Sequence, residues 1–320
     1  LLKKQSTNLD NETGWWNSIT ATDLDNDGDM DYIMGNYGMN GYYKANSNEP
    51  VNIYAKDYDG NGHTDMLLSQ WRAETPHGTA KEFPASLRDM VTEELPVIKK
   101  QFSTYSAYAK AAMTDVLKNF NRDGELKLSA NNLQTVWIEN KGNYNFQLHA
   151  LPAPAQWSPV YGIAVNDFNS DGNPDIIISG NEYGMAPVNG RSDAMNGLVL
   201  QGDGKGNFTP LTILQSGIMI PGNGKALIQF PAAKNIAIAA AQNGGALKFF
   251  RSNNNVQNIL LQPDEIYAII TLKNGQKRKE EFYYGSSFLS QSARFVSFNA
   301  SVQSVTIFNS KGQSRNMPLQ

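Results

Sequence analysis

The chain contains no cysteine and only three histidines among its 320 residues. The first absence excludes a disulfide framework, a thiolate metal site and a cysteine nucleophile, but does not assign a compartment. His63, His77 and His149 stand apart, and neither an H-E-x-x-H zinc motif nor a G-x-S-x-G nucleophile elbow occurs. No apolar run approaches the roughly 20 residues that a membrane helix requires, so no transmembrane segment is expected in this chain. The opening Leu1-Leu2-Lys3-Lys4-Gln5 lacks the apolar centre of a signal peptide, which leads us to expect a mature or excised part of a longer polypeptide. A basic excess is missing too. The formal net charge of -3 offers nothing to neutralise phosphates and argues against nucleic acid as a partner. Gly202-Asp203-Gly204-Lys205-Gly206 and Gly222-Asn223-Gly224-Lys225-Ala226 lack the spaced first glycine and the Ser/Thr after lysine of a phosphate loop, and read as turns.

What the chain does have is 40% hydrophobic residues, enough for a substantial core, and acids gathered into short Asp/Asn/Gly clusters. The clusters repeat. Asp23-Leu-Asp25-Asn-Asp27-Gly-Asp29-Met-Asp31 is matched by Asp57-Tyr-Asp59-Gly-Asn61-Gly-His63-Thr-Asp65 and by Asp167-Phe-Asn169-Ser-Asp171-Gly-Asn173-Pro-Asp175, all of the form D-x-[DN]-x-[DN]-G-x-x-D. Ile19, Ile53 and Ile163 stand four residues before each first Asp, and Ala21, Ala55 and Val165 two before it, the alternation of a half-buried strand. Short apolar runs follow each last Asp: Tyr32-Ile33-Met34, Met66-Leu67-Leu68 and Ile176-Ile177-Ile178. The unit is strand, acidic loop, strand. Thr135 to Phe146 and Leu198 to Phe208 read as closing strands with a Gly/Asn turn before an aromatic, and Ala226–Phe230 with Asn235–Ala239 form a fourth unit without acids. Short recurring strands that cannot bury a face alone imply propeller blades.

Two segments depart from the repeat. Leu87, Met90, Val91, Leu95, Ile98 and Phe102, then Tyr105, Tyr108, Ala109, Ala112, Met113 and Val116, fall at helical spacing and predict a helical insertion over about 83–118. Pro84 and Ser86 serve as start signals, and Pro96 kinks or splits the stretch. Beyond about 255, Ile266–Leu272 alternates, Asn274-Gly275 marks a hairpin, and strands are expected at Phe282–Tyr284, Arg294–Phe298 and Val302–Phe308. The expected architecture is mainly β: a partial propeller of about four blades over 1–256, with three loops in successive blades and the helical insertion in the second, then a small β-domain over 257–320.

Calcium takes six to eight oxygens, and alternate carboxylates in a short loop supply them from one segment, the glycine allowing the sharp turn. Positions one, three, five and nine would give side-chain oxygens and position seven its backbone carbonyl. This makes candidate ligands of Asp23, Asp25, Asp27, Asp29 and Asp31, of Asp57, Asp59, Asn61, His63 and Asp65, and of Asp167, Asn169, Asp171, Asn173 and Asp175, hence three calcium ions. Magnesium, which keeps more of its waters, fits less well. At His63 only the carbonyl is needed. Isolated Asp/Asn/Gly clusters are solvated turns in most chains, but turns do not need acids at alternating positions three times over.

On these residues the chain resembles the FG-GAP/VCBS repeats of integrin-like β-propellers over roughly 15–255, a family whose loops bind calcium and whose propellers serve adhesion or ligand recognition. The tail, with Leu272-Lys-Asn-Gly275, Tyr284-Gly-Ser-Ser-Phe-Leu-Ser-Gln-Ser292 and Val305-Thr-Ile-Phe-Asn-Ser-Lys-Gly312, resembles the UnbV/ASPIC domain that follows such propellers in cartilage-acidic-protein-like chains. Phe298-Asn-Ala-Ser301 replaces that family's Gly-Leu-Gly, and Asn309-Ser-Lys-Gly312 its Trp-Pro-Asp/Ser-Gly. The resemblance implies a bacterial recognition or scaffolding module, extracellular, at the cell surface or periplasmic, with a protein or glycan ligand that the sequence does not identify.

The competing class is a calcium-dependent polysaccharide lyase or hydrolase, which needs only a few carboxylates from distant strands. Acids such as Glu49, Glu74, Glu82 and Glu182 are left over without evident pairing, and aromatics near the loops, including Trp15, Trp16, Tyr42, Tyr43, Trp71 and Trp157, could stack on sugar rings or pack the core. The balance favours a module without catalysis.

Overall fold

The computed structural model describes residues 5–73, 75 and 78–317; Leu1 to Lys4, Glu74 and His77 lie outside the described residues. The fold is mainly β, built of small open antiparallel sheets. Two compact units make up the chain, one of Leu1–Asp10, Trp16–Gly41 and Gln134–Gln320, the other of Asn11–Trp15 and Tyr42–Leu133.

Strands β1 (Ser18–Thr22) and β2 (Asp31–Gly35) flank the first acidic loop and pair from Thr22↔Asp31 to Ser18↔Gly35. The chain then leaves this sheet. In the second unit β3 (Val51–Lys56) and β4 (Asp65–Ala73) flank the second loop, β5 (Ala80–Pro84) pairs with β4, and helices α1 (Arg88–Glu94), α2 (Val97–Gln101), α3 (Tyr105–Ala109) and α4 (Met113–Leu117) precede β6 (Leu126–Ala130). The sheet order is β5-β4-β3-β6. Only after that do β7 (Val136–Asn140) and β8 (Phe146–Ala150) complete the first sheet, in the order β1-β2-β7-β8. The second loop therefore does not follow the first in series; its sheet is inserted within the first one.

The helical reading of 83–118 holds with an altered start. Phe83 and Pro84 end β5, and the first helix begins at Arg88. Pro96 splits the stretch, because its ring and missing N–H end α1 at Glu94 while its fixed φ suits the residue before α2. The apolar face of these helices, including Val91, Leu95, Ile98 and Met113, packs with Tyr54 and Leu67 into the core of the second unit.

In the first unit β9 (Val160–Asn166), β10 (Asp175–Gly180), β11 (Leu198–Gly202) and β12 (Phe208–Leu211) form a sheet around the third loop. A three-stranded sheet without acids follows, of β13 (Gly224–Ala232), β14 (Asn235–Gln242) and β15 (Lys248–Arg251). Leu24, Ile33, Ile163, Ile176 and Leu200 form the core shared by the two loop-bearing sheets. The recurring Gly-Asn after the second strand of each has a steric cause: a Cβ on Gly180 would lie 1.9 Å from the Pro159 carbonyl, and one on Gly35 2.5 Å from that of Val160. Glycine lets the strands approach, and Asn181 fills the corner by bonding Met195 and Gly222.

At the C-terminal end β16 (Gln257–Leu260) pairs with β19 (Phe295–Phe298), while β17 (Glu265–Leu272), β18 (Lys277–Glu281), β20 (Val302–Asn309) and β21 (Ser314–Met317) form a sheet in the order β18-β17-β20-β21. The Asn274-Gly275 hairpin forms, with Gly275 at φ 89°. The strand expected at Phe282–Tyr284 does not. The ladder to β17 ends at Glu281, and the following segment instead hydrogen-bonds along the first strands of the preceding sheets: Thr20 Oγ1 donates to Ser286 O, the Ile163 N–H to Ser287 Oγ and the Gln229 N–H to Ser292 Oγ. No helix among the described residues is long and apolar enough to cross a membrane, which leaves strands unaddressed.

Candidate metal centres

The three loops share one hydrogen-bond template. The first Asp accepts the N–H groups of positions five and six: Asp27 and Gly28 on Asp23, Asn61 and Gly62 on Asp57, Asp171 and Gly172 on Asp167, all at 2.9–3.1 Å. Position three accepts from position five, and position five from position seven. The last Asp turns back to accept the N–H of position two: Leu24 on Asp31, Tyr58 on Asp65, Phe168 on Asp175. Gly28, Gly62 and Gly172 take φ of 96°, 86° and 98°, which L-residues rarely adopt.

The template does not decide whether the carboxylates converge. Two oxygens on one calcium ion, each about 2.4 Å away, lie no more than about 4.8 Å apart. Asp23, Asp25 and Asp27 each place an oxygen within 4.8 Å of the others, and so do Asp57, Asp59 and Asp65. Asp167, Asp171 and Asp175 form no such group. In that loop Asn169 Nδ2 donates to Asp171 Oδ2 at 2.8 Å, and Asn299 Nδ2 to Asp167 Oδ2 at 3.2 Å. Arg278, 3% exposed, donates to the Gly172 carbonyl at 2.8 Å, and its charge partly offsets the burial that raises the Asp167 carboxyl. Position seven contributes no converging side chain: Asp29 and His63 are exposed, and Asn173 Oδ1 accepts from Asn26.

Residues outside the motifs also contact the loop acids. The Lys279 N–H donates to Asp23 Oδ2 at 3.0 Å. In the two loop-bearing sheets of the first unit the third strand bonds the last Asp, through the Asn140 N–H on Asp31 and the Gly202 N–H on Asp175. One residue earlier, Glu139 stands against Asp25, while its counterpart Gln201 reaches Asp171 at 3.5 Å. Glu139 was not found from the sequence; the like-for-like spacing of Glu139-Asn140 and Gln201-Gly202 was the available signal.

Burial raises the deepest carboxyls. Asp23 is pushed up to about 6, with Asp27 and Asp25 adding to burial and the N–H groups of Lys279 and Gly28 opposing it. Asp31 and Asp175 are pushed up to about 7 by burial, against the N–H groups of Asn140 and Gly202. Asp25 is raised by burial, then by Asp27 and Glu139. Burial raises Asp65 as well, whereas the Gly62 N–H leads in lowering the half-buried Asp57. Glu139, despite burial, is lowered by Lys141 and His149.

Three of the glutamates outside the loops, Glu49, Glu82 and Glu182, are engaged elsewhere. Glu82 accepts from Asn52, Tyr54 and Ser69, Glu182 from Lys225, Tyr161 and Gly184, and Glu49 from Asn46. No family model matches the chain, and no curated protein is significantly similar to it.

Proposed function

We propose that the chain is a calcium-binding recognition or scaffolding module whose sheets are blades of an incomplete propeller, working where free calcium is high, outside the cytosol. The convergence of Asp23, Asp25 and Asp27, and of Asp57, Asp59 and Asp65, to within 4.8 Å carries this reading. Asp23/Asp25/Asp27, joined by Glu139 and backed by Asp31, would hold one ion; Asp57/Asp59/Asp65 with Asn61 would hold a second. Buried carboxyls that resist ionisation alone become favourable ligands once a divalent cation supplies the opposing charge. The third loop, with Asn169 and Gln201 in place of acids and the Arg278 charge beside it, would take a third ion only above the concentrations that fill the other two. The open sheets, the side-by-side first strands of three of them and the segment Ser286–Ser292 bonded along those strands support the propeller reading. The engagement of Glu49, Glu82 and Glu182 by neighbouring donors favours a role without catalysis.

Calorimetric titration of the chelated protein with calcium tests the proposal. Two equivalents at dissociation constants of about 10⁻⁴–10⁻³ M are expected, as in extracellular modules. Absence of binding at 10 mM calcium would reduce the loops to hydrogen-bonded turns and remove the ground for an extracytosolic location.

A further inference from the structure

We propose that the second unit carries a binding site for an acidic sugar, a carboxylate-bearing pyranose of a glycan, in the cavity between the end of β5, the start of α1 and α3. The cavity has a volume of about 300 Å³, at the lower end of the range of ligand sites. Its working groups are Tyr42, Arg72, Phe83, Arg88, Asp89 and Tyr105. Phe83 is buried beneath it, whereas Tyr42 is 41% and Tyr105 64% exposed, which leaves ring surface beside the opening. Exposed aromatics flanking a concave site are suited to stacking on the apolar face of a sugar.

The guanidinium groups supply the charge preference. Arg72 lies 5.4 Å from the centroid of Phe83 and makes no hydrogen bond or ion pair among the described residues. Arg88 is 8% exposed and 5.1 Å from the centroid of Tyr105; its Nε donates to Phe102 O at 2.8 Å, and Nη1 stands 3.6 Å from Asp89. The terminal nitrogens of this nine-tenths buried side chain make no hydrogen bond among the described residues. Asp89 accepts the Tyr105 hydroxyl at 2.8 Å, so two positive groups and one negative one surround the cavity. Unfilled guanidinium donors beside flat ring faces call for a ligand that joins a planar carboxylate to an apolar ring face, and a uronic acid does so. Tyr43 meets Tyr42 edge-on at 5.1 Å and Trp15 at 5.0 Å, extending the aromatic surface for neighbouring sugar rings.

This names a ligand class for the recognition reading and rests on it only in requiring a ligand; none of the proposed contacts comes from the acidic loops. The test is calorimetric titration of the full chain, in EGTA and again in calcium, with trigalacturonate, maltotriose and a short acidic peptide. Trigalacturonate is expected to bind in EGTA at about 10⁻⁴ M, with maltotriose weaker by at least about tenfold. Arg72→Gln and Tyr105→Ala, both at exposed side chains, are each expected to weaken it by about fivefold or more without moving the melting midpoint. Trigalacturonate binding without any calcium effect on stability would uphold this site while the loop reading failed. Equal binding of maltotriose, preference for the peptide, or no heat from trigalacturonate at 10 mM would each overturn the site.

Discussion

The first and third loops belong to the same unit, follow the same nine-residue pattern and hold their backbones by the same hydrogen bonds, yet only the first gathers its acids. The difference lies in what faces them. Glu139 stands against Asp25 where Gln201 stands near Asp171, and adjacent residues of β18 treat the loops differently: Lys279 offers the first a backbone N–H, whereas Arg278 brings the third a buried positive charge. The motif thus specifies a turn, and its neighbours decide whether the acids of that turn converge.

The largest effect expected from this contrast comes from Asp23→Ala beside Asp167→Ala. Each leaves the N–H of position six without its acceptor and that of position five with only its bond to position three, a loss of about 1–3 kcal/mol in excess EGTA by chemical denaturation. In 10 mM calcium the Asp23 variant should lose about 1.4–2.7 kcal/mol more, because wild type gains that from an ion held at 10⁻⁴–10⁻³ M. Equal losses in calcium would break the contrast. Arg278→Gln should sharpen it by removing the competing charge, raising the calorimetric stoichiometry from two ions to three. Three comparable sites in the wild type would show that Arg278 does not exclude the metal.

Exchanging the strand residues should move affinity in opposite directions. Glu139→Gln is expected to weaken the first site by about tenfold and Gln201→Glu to strengthen the third by a similar factor, as ligand charge sets loop affinity. Titration of the single variants reads both. A pH series tests the buried carboxyls. Asp23, Asp31 and Asp175 have folded values of about 6, 7 and 7, above the unfolded value of about 3.9, so the folded, ion-free chain holds protons that the unfolded chain releases. These groups therefore make the ion-free protein lose stability as pH rises from about 4 to about 7. Calcium takes the ionised form, so its stabilisation should be full at pH 8 and nearly gone at pH 5, read from melting midpoints. The smallest effect belongs to His63→Ala, expected to change the second site by less than about 0.5 kcal/mol, since position seven offers only its carbonyl.

Local features were legible where short-range chemistry settles them. Isoleucines before the first Asp and apolar runs after the last mark the strands; Pro96 splits the helices; Gly275 turns its hairpin. What escaped reading depends on partners distant in sequence. Val136–Asn140 looks like a closing strand for whichever unit precedes it, and chain proximity favours the second loop, but its register matches Met34↔Val136 and Tyr32↔Ile138 on β2. Phe282–Tyr284 has the composition of a strand yet lies past the end of the β17 ladder. Glu139 and Arg278 carry no local mark of their association with the loops.

The nested order of strands has a consequence for the history of each molecule as it leaves the ribosome. β1 and β2 emerge early, but their sheet cannot be finished until about 100 further residues have been made, and closing so long a loop in a disordered chain is slow. The second unit can shorten that search. Val51↔Ala130 pairing between β3 and β6 draws the two ends of the inserted segment together. Folding of the insert would then turn a distant pairing into a near one, and the second unit would act as an internal clamp that sets the order of assembly.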